Sequence, residues 1–370
     1  MFASRGKILL SAALVCVLAL GAMNHAAAQG YYEGKKLTLW IGGGVAGGVN
    51  RYGRMFARHV VKHLPGTPEA VVSKNLPGAG GVGAVKTLYG RAKKDGTEFG
   101  TFALGPVTDP LLRPKRKHGY DMLKFNWVGA MNDNVQICHV HSKGPLKTIE
   151  DVMDQIVTVG ATGRRSQSAK IPMALNASIG TRFKIIAGYR GSGGSALAFE
   201  KGEVQAICTS LASIKASRKH FIDTGLIRII IQTGARKHPD LPHIRLSSEL
   251  AKSKKQKALL KFATAHLAMS QPIALPPGVP AQRVAEWRKA FAATMKDPAF
   301  LEEAKRTSVE IQPKNGDEVL AIVKGIYATP KDIVKATAKA FRTKVTACDY
   351  KTSKAGKKCR KPRKRKKKKS

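Results

Sequence analysis

Short apolar runs alternate with stretches of helical periodicity along this chain, and glycine-rich turns join several of these runs to the next helix. The run 37–41 leads directly into the glycines that begin at Gly42. Apolar residues then recur every four positions, as one face of a helix requires: Tyr52, Phe56, Val60 and Leu64. Further strands are predicted at 71–72 and 99–104, with a helix over 82–89. This alternation predicts an α/β fold whose mostly parallel sheets are flanked by helices.

A second set of strands and helices follows, and the chain is longer than a single hydrophobic core usually accommodates. Strands are predicted at 127–130, 135–140, 156–159, 183–187, 204–208 and 227–231, and helices at 148–155, 168–177, 194–201 and in the region after 280. The polar break at 132–134 and the return at 229–232 predict two lobes. Lobe 1 is expected to contain 31–133 plus 232–347, and lobe 2 to contain 134–231.

The N-terminus has the pattern of a secretory signal peptide. Arg5 and Lys7 precede the apolar run 8–20, and three alanines end at Ala28. The apolar run is shorter than the ~20 residues that a membrane-spanning helix needs. Cys16 lies inside this apolar run, whereas a lipoprotein would require a cysteine at the cleavage point. We expect residues 1–28 to be removed near Ala28 on export to the periplasm, and no later segment is apolar enough to cross a membrane.

Positive charge is concentrated in the C-terminal tail, predicted as 348–370. Residues 351–370 contain 13 Lys or Arg and no acid, which leaves +28 of the net charge of +41 on the rest of the chain. Such a block is typical of a disordered segment that contacts polyanions. In an exported protein we expect anionic envelope polymers or lipid as its partners. Aromatic residues make up only 6% of the chain, so no specific nucleic acid is expected.

Motifs of catalysis or metal binding are absent from the sequence. It has no G-x-S-x-G, H-E-x-x-H or G-x-x-x-x-G-K-[ST] motif and no Cys/His cluster with zinc spacing, so no enzyme, metal or cofactor is predicted. His139 and His141 share one face of a predicted strand, and we interpret them as surface histidines. Two cysteine pairs could form disulfides after export, and the sequence does not decide whether either pair does: Cys138 with Cys208, and Cys348 with Cys359.

The glycine-rich turns 42–50 and 75–81 are the strongest candidates for a binding site. Each leads from a strand into a helix, where backbone N–H groups and the helix dipole favour an anion. Turns that follow adjacent parallel strands open at the same sheet edge, so together they are predicted to bind one anionic group. Two similar turns lie in the second half of the chain, at 161–166 and 189–194. Their hydroxyls, Thr162 and Ser192, are favoured as ligand contacts over Arg164, Arg165 and Arg190.

The pattern Gly42-x-Gly44-x-x-Gly47 also matches the dinucleotide-binding fingerprint, which makes an exported Rossmann-like oxidoreductase the alternative hypothesis. That fingerprint requires an acid at the end of the second strand to bind a ribose hydroxyl. The sequence has Ser73, Lys74 and Asn75 there. The alternative therefore ranks second, and a polyanion-binding protein ranks third.

Several segments together resemble the substrate-binding receptors of tripartite tricarboxylate transporters, the Bug family. The matching segments are spread over most of the chain: 43–50, 75–81, 94–97, 189–191, 202–204, 277–280 and 297–300. The resemblance implies a two-lobed periplasmic-binding-protein (Venus-flytrap) fold. It also implies a receptor that captures a small carboxylate and delivers it to a membrane permease, and we expect this receptor to be a monomer.

The resemblance further implies a set of ligand-binding residues. In the family, the first two glycine turns bind one ligand carboxylate, partly through water, and hydroxyl and N–H groups of the second lobe contact the remainder. Carried onto this sequence, the binding residues are Gly44, Val45, Gly47, Asn50, Ala79, Gly80, Gly81, Thr108, Thr162 and Ser192. Two positions depart from the family, which usually has aspartate where Asn50 and Gln205 stand. The change at Asn50 is expected to alter the accepted ligand groups, and the change at Gln205 to alter local packing.

Overall fold

The fold comes from a computed structural model that describes residues 30–45, 47–77, 79–343 and 345. The predicted signal peptide, 1–28, and the basic tail, 348–370, with Cys348 and Cys359, lie outside the described residues. The described chain forms two compact units. Unit 1 contains 30–134, Lys215–Ser217 and Ala265–Thr329, and unit 2 contains Val135–Ile214, Arg218–Thr264 and the described residues from Pro330 onward.

Strands and helices alternate through most of the described chain. In chain order they are β1 (Lys36–Gly42), α1 (Gly48–Val60), β2 (Ala70–Asn75), α2 (Val82–Gly90), β3 (Glu98–Phe102), α3 (Gly105–Leu112), β4 (Asn126–Asn132), β5 (Gln136–His141), α4 (Ile149–Asp154), β6 (Val157–Ala161), α5 (Gln167–Ile179), β7 (Phe183–Ala187), α6 (Gly191–Glu200), β8 (Ala206–Ser210), α7 (Leu211–Ser217), α8 (His220–Asp223), β9 (Ile227–Thr233), α9 (Ser247–Leu250), α10 (Lys254–Thr264), β10 (Ser270–Leu275), α11 (Ala281–Thr294), α12 (Pro298–Arg306), β11 (Lys314–Asn315), α13 (Gly316–Tyr327) and α14 (Lys331–Ala340). Short 3₁₀ turns lie at Val61–His63, Ala79–Gly81 and Ala265–Met269. Among the described residues, no helix is both long and apolar enough to span a bilayer.

Each unit contains its own sheet, and both sheets are mixed rather than mostly parallel. The sheet of unit 1 has the order β11-β4-β10-β3-β1-β2, and that of unit 2 has the order β7-β6-β8-β5-β9. Parallel pairs join β1 to β2 and β3, and β6 to β7 and β8. Antiparallel pairs join β10 to β3 and β4, β11 to β4, and β5 to β8 and β9.

The observed units differ from the predicted lobes in two segments. The prediction assigned 232–347 to lobe 1, whereas Arg218–Thr264 and the residues from Pro330 onward group with unit 2. Helix α10 packs against α5 and α14, which accounts for this grouping. The first boundary, after Asn134, lies within one residue of the predicted break.

Aromatic rings form the centre of the core in unit 1. The ring of Phe99 lies 4.5 Å from that of Trp287 and 6.3 Å from that of Phe56, measured between centroids. The indole N–H of Trp287 donates to the carbonyl oxygen of Gly96 at 2.8 Å, which satisfies the one polar group of this buried side chain. This packing fixes α1 and α11 against β3 and so sets the position of the turn before α1.

A disulfide bond links Cys138 to Cys208 in unit 2. The two residues are directly opposite each other on β5 and β8, and their Cα atoms are 4.1 Å apart. This short separation is typical of an antiparallel pair that exchanges no backbone hydrogen bonds. The sequence left this pairing open, because the two cysteines meet only through the strand register.

Replacing Cys138 and Cys208 together by alanine is expected to destabilise unit 2 by about 2–4 kcal/mol, because the bond removes loop-closure entropy from the unfolded chain. Hydrogen exchange followed by mass spectrometry should show faster exchange in β5 and β8 and unchanged exchange in β1 and β3. Reduction of the wild-type protein should reproduce the effect. Equal protection of β5 and β8 in the two proteins would contradict this prediction.

Candidate functional site

The first two glycine-rich turns lie at the same edge of the unit 1 sheet. Strand β1 pairs in parallel with both β2 and β3, so the C-terminal ends of all three strands lie together. The turn after β1 leads into α1, and the 3₁₀ turn Ala79–Gly81 leads from β2 into α2. The convergence expected from the order of strands and helices is therefore present.

Close approach of two backbones requires glycine in the second turn. Gly81 has φ of +87°, and a Cβ added to it would lie 2.7 Å from the carbonyl oxygen of Gly42. Gly80 has φ of +69° but faces open space, so only its backbone conformation disfavours another residue. The end of β1 and the turn Ala79–Gly81 are consequently in direct contact, which a larger side chain at 81 would prevent.

Side-chain amides connect the two turns. The Nδ2 group of Asn75 donates to the carbonyl oxygen of Gly43 at 2.9 Å and to Oδ1 of Asn50 at 3.0 Å. In turn, Nδ2 of Asn50 donates to the carbonyl oxygen of Val45 at 2.6 Å. Asn50 is 7% exposed and acts as both donor and acceptor, which an aspartate could not do. Asparagine at this position, where the family usually has aspartate, therefore ties its side chain to the turn itself.

Arg54 places a positive charge behind these amides. Its Nε donates to Oδ1 of Asn50 at 2.9 Å, and its Nη2 donates to Oδ1 of Asn75 at 3.0 Å. The roles of Arg54 and Asn75 were not predicted from the sequence. One signal was available, because Arg54 is four residues after Asn50 on α1 and thus on the same helix face.

The predicted residues of unit 1 all lie on or near these turns. Gly44, Val45 and Gly47 are exposed on the first turn, and the Val45 side chain is 72% exposed. Ala79 and Gly80 lie on the second turn with Gly81. Thr108 lies in the first turn of α3, which follows β3, and its buried hydroxyl donates to the carbonyl oxygen of Gly105 at 3.5 Å. Ala46 and Gly78, which belong to the same turns, are outside the described residues.

The two predicted residues of unit 2, Thr162 and Ser192, line one cavity of about 200 Å³. Seven hydroxyl side chains line it in all, and Ser168 among them accepts a hydrogen bond from the Thr162 backbone N–H at 3.3 Å. Thr162 directly follows β6, and Ser192 lies in the first turn of α6 after β7. The cavity thus opens at the C-terminal ends of two parallel strands, as in unit 1.

The charged and imidazole residues of the cavity differ from those the sequence suggested. Arg164, Arg165 and Arg190 are exposed and do not line it, whereas Arg218 does. The interpretation of His139 as a surface residue is wrong: it is fully buried and lines the cavity. The second departure from the family, Gln205, lies elsewhere and accepts hydrogen bonds from the backbone and side chain of Thr158.

Replacing Asn75 by leucine is expected to lower the free energy of unfolding by about 1–3 kcal/mol, because it leaves polar partners in the turns unsatisfied. Exchange of amide hydrogens at 43–50 should become faster. Asn126→Leu is the matched control, since it removes a single side-chain hydrogen bond elsewhere in unit 1, the one that the Asn126 amide donates to the Pro276 carbonyl oxygen. Equal exchange at 43–50 in both variants would show that Asn75 does not fix the first turn.

Solved structures of solute-binding proteins share this fold. A TctC solute binding protein from Polaromonas is 19% identical, with a TM-score of 0.62 over 82% of this chain and 99% of that chain. An R. palustris protein with adipate is 16% identical, with a TM-score of 0.60 over 82% and 97%. MatC from Rhodopseudomonas palustris with bound malate is also 16% identical, with a TM-score of 0.60 over 81% and 99%. At these identities the likeness shows the fold, and it confirms the predicted two-lobed class.

Sequence comparison identifies the family. A comparison with curated proteins gives no match. The model of the tripartite tricarboxylate transporter family receptor matches residues 54–339, which is more than half of the 370 residues and begins just after the first glycine turn. The resemblance inferred from the sequence is therefore confirmed, and this chain belongs to the family of tripartite tricarboxylate transporter receptors.

Proposed function

We propose that this receptor binds a small carboxylate outside the cytoplasmic membrane and delivers it to a tripartite tricarboxylate-type permease, without catalysing a reaction. The observation that carries the proposal is the pair of uncapped helix N-termini at the edge of the unit 1 sheet. Helix α1 has no acidic residue in its first turn and no side-chain cap, and the same is true of α2. The positive ends of both helix dipoles are thus left for an external anion.

One carboxylate of the ligand is bound by backbone groups of the two turns, at Gly44, Val45, Ala79, Gly80 and Gly81, and Gly47 shapes the first turn by donating its N–H to the Gly44 carbonyl oxygen at 3.0 Å. Asn50 and Asn75 fix these turns, and Arg54 behind them adds attraction that does not depend on ligand shape. Thr108 follows the third strand at the same edge and contacts the same carboxylate. A site made of fixed backbone dipoles binds any carboxylate of suitable size, so this part of the protein sets the class of ligand rather than its identity.

We propose that Thr162 and Ser192 contact ligand oxygens within unit 2. Both line the unit 2 cavity, and their hydroxyls can donate to or accept from a ligand oxygen. The bound adipate and malate of two proteins with the same fold support a dicarboxylate-sized ligand. The ligands of this chain need not be either of these acids, because identities of 16% do not transfer specificity.

Family membership and the disulfide both support a periplasmic location. Receptors of this family are periplasmic, and a bond such as Cys138–Cys208 persists in an oxidising compartment. We propose cleavage of the N-terminal signal near Ala28 and a monomeric mature protein. We further propose that the lysine-rich tail contacts anionic envelope polymers or lipid.

The alternative of a dinucleotide-dependent oxidoreductase is not supported. The family match is to a transport receptor. Moreover, β2 ends in Asn75, whose side-chain amide donates to Gly43 and Asn50 of the first turn. No acid stands at this position to bind a ribose hydroxyl, which a dinucleotide site would need.

Replacing Gly80 by valine is expected to weaken the binding of mono-, di- and tricarboxylates alike. The dissociation constants should rise by about tenfold or more, and tenfold corresponds to about 1.4 kcal/mol. Valine does not readily adopt the φ of +69° at this position, so the second turn would have to move. Ser192→Ala should instead change the ranking among these acids. Isothermal titration calorimetry of the mature protein measures both effects.

Gly34→Val is the matched control for the glycine substitution. Gly34 also lies in unit 1, has φ of +63° and has no heavy atom near an added Cβ. The control should lose similar stability yet keep wild-type affinities. Unchanged affinity in Gly80→Val would show that the second turn takes no part in binding.

A further inference from the structure

Burial divides the lining of the unit 2 cavity into an outer and an inner part. Thr162 and Arg218 are partly buried and Ser192 is exposed, so they line the outer part. The inner part is formed by buried residues, four of which are apolar: Ala196, Ile207, Ile214 and Phe221. Two polar residues, His139 and Ser195, are buried among them, at 0% and 3% exposure.

These two side chains have hydrogen-bonding capacity that the described part of the chain leaves unused. Neither ring nitrogen of His139 has a hydrogen-bond partner there, and neither does the Ser195 hydroxyl. A buried polar group without a partner costs about 1–3 kcal/mol. A protein that keeps three such atoms at the inner end of one cavity is therefore suited to a polar ligand group that pairs with them.

The strand register holds His139 toward the cavity. His139 lies directly opposite Ile207 on β8, and both side chains line the cavity. Its neighbour Cys138 points to the other face of the sheet and is fixed there by the disulfide. The ring of His139 also packs edge-on against Phe199, with centroids 4.9 Å apart, so it has little freedom to turn away.

Burial favours the uncharged form of this imidazole. Burial lowers the pKa of His139 to about 3, with a smaller contribution from nearby His141. A neutral imidazole has one N–H donor and one nitrogen acceptor, and a serine hydroxyl likewise donates and accepts. A ligand hydroxyl can satisfy both of these functions, whereas a carboxylate can only accept. A carboxylate would also carry its charge into an apolar surrounding, which is costly.

We propose that the inner end of the unit 2 cavity binds an uncharged hydroxyl group of the ligand, with His139 and Ser195 as the specificity-determining residues. This inference rests on the proposed carboxylate-binding function and narrows its ligands to acids that also carry a hydroxyl group. Arg218 lies in the outer part and is partly exposed, so its charge is solvated and does not need a second ligand carboxylate to balance it.

Acids that differ only at the far end test this directly. The six-carbon set is hexanoate, 6-hydroxyhexanoate and adipate, and the four-carbon set is butanoate, 4-hydroxybutanoate and succinate. Titration calorimetry of the mature wild-type protein should show, in at least one set, that the hydroxy acid binds about tenfold or more tightly than the other two acids. One satisfied buried hydrogen bond supplies a difference of this size.

Variants of His139 assign the preference to this residue. His139→Leu should weaken the binding of the hydroxy acid by about tenfold or more, because leucine offers no hydrogen bond. The affinity for the alkyl acid should stay the same or increase. His139→Gln retains a donor and an acceptor and should keep the ranking. His141→Leu is the matched control, since His141 lies two residues along the same strand and does not line the cavity. Thermal unfolding without acid verifies that each variant is folded.

Each outcome bears on one of the two proposals. The inference is supported if the wild-type protein prefers the hydroxy acid, if His139→Leu abolishes this preference, and if His139→Gln and His141→Leu keep it. A preference for the dicarboxylate or the alkyl acid overturns it, and so does a hydroxyl preference that persists in His139→Leu. In those cases, uniform weakening in Gly80→Val shows that the carboxylate-binding function still stands. Failure of all six acids to bind overturns the inference, whereas the carboxylate-binding function is tested separately by the mono-, di- and tricarboxylates titrated against Gly80→Val.

Discussion

Parallel pairing of β1 with both β2 and β3 is the constraint on which the candidate site depends. It places three strand ends at one edge, and the close contact of Gly81 with the Gly42 carbonyl brings two turns together there. The amides of Asn50 and Asn75 then fix the turns, so little conformational entropy remains to be lost when an anion binds. Packing of Phe56, Phe99 and Trp287 beneath the sheet holds this edge in place.

Charge in this protein is abundant, yet the proposed anion site uses little of it. The cationic side chain of Arg54 contacts both turns, and it acts through two asparagines. Lysines on the surface attract anions over distance but do not orient them, because an ammonium on a long stem has no fixed direction. Backbone dipoles at two helix N-termini have such a direction. In this receptor, surface charge therefore attracts the anion, and the backbone dipoles orient it.

The two faces of β5 have different functions in unit 2. One face carries Cys138, whose bond to Cys208 fixes β5 to β8, and the other carries His139 at the inner end of the cavity. Because side chains alternate along a strand, fixing one face also fixes the direction of the other. A buried imidazole that cannot turn away discriminates between ligand groups more sharply than a mobile surface residue would.

The sequence by itself determined the local elements and the turns that the site uses. Strand β7 was predicted with the bounds that the structure has, and the glycine turns were predicted as candidates, because periodicity and glycine act over a few residues. Strand β10 was not predicted, since Pro272 interrupts its pattern and its partners β3 and β4 lie far away in the chain. The burial of His139, the pairing of the cysteines and the contact of Arg54 with Asn75 were decided by tertiary structure alone. Each depends on which distant segments pack together, and no local pattern records that.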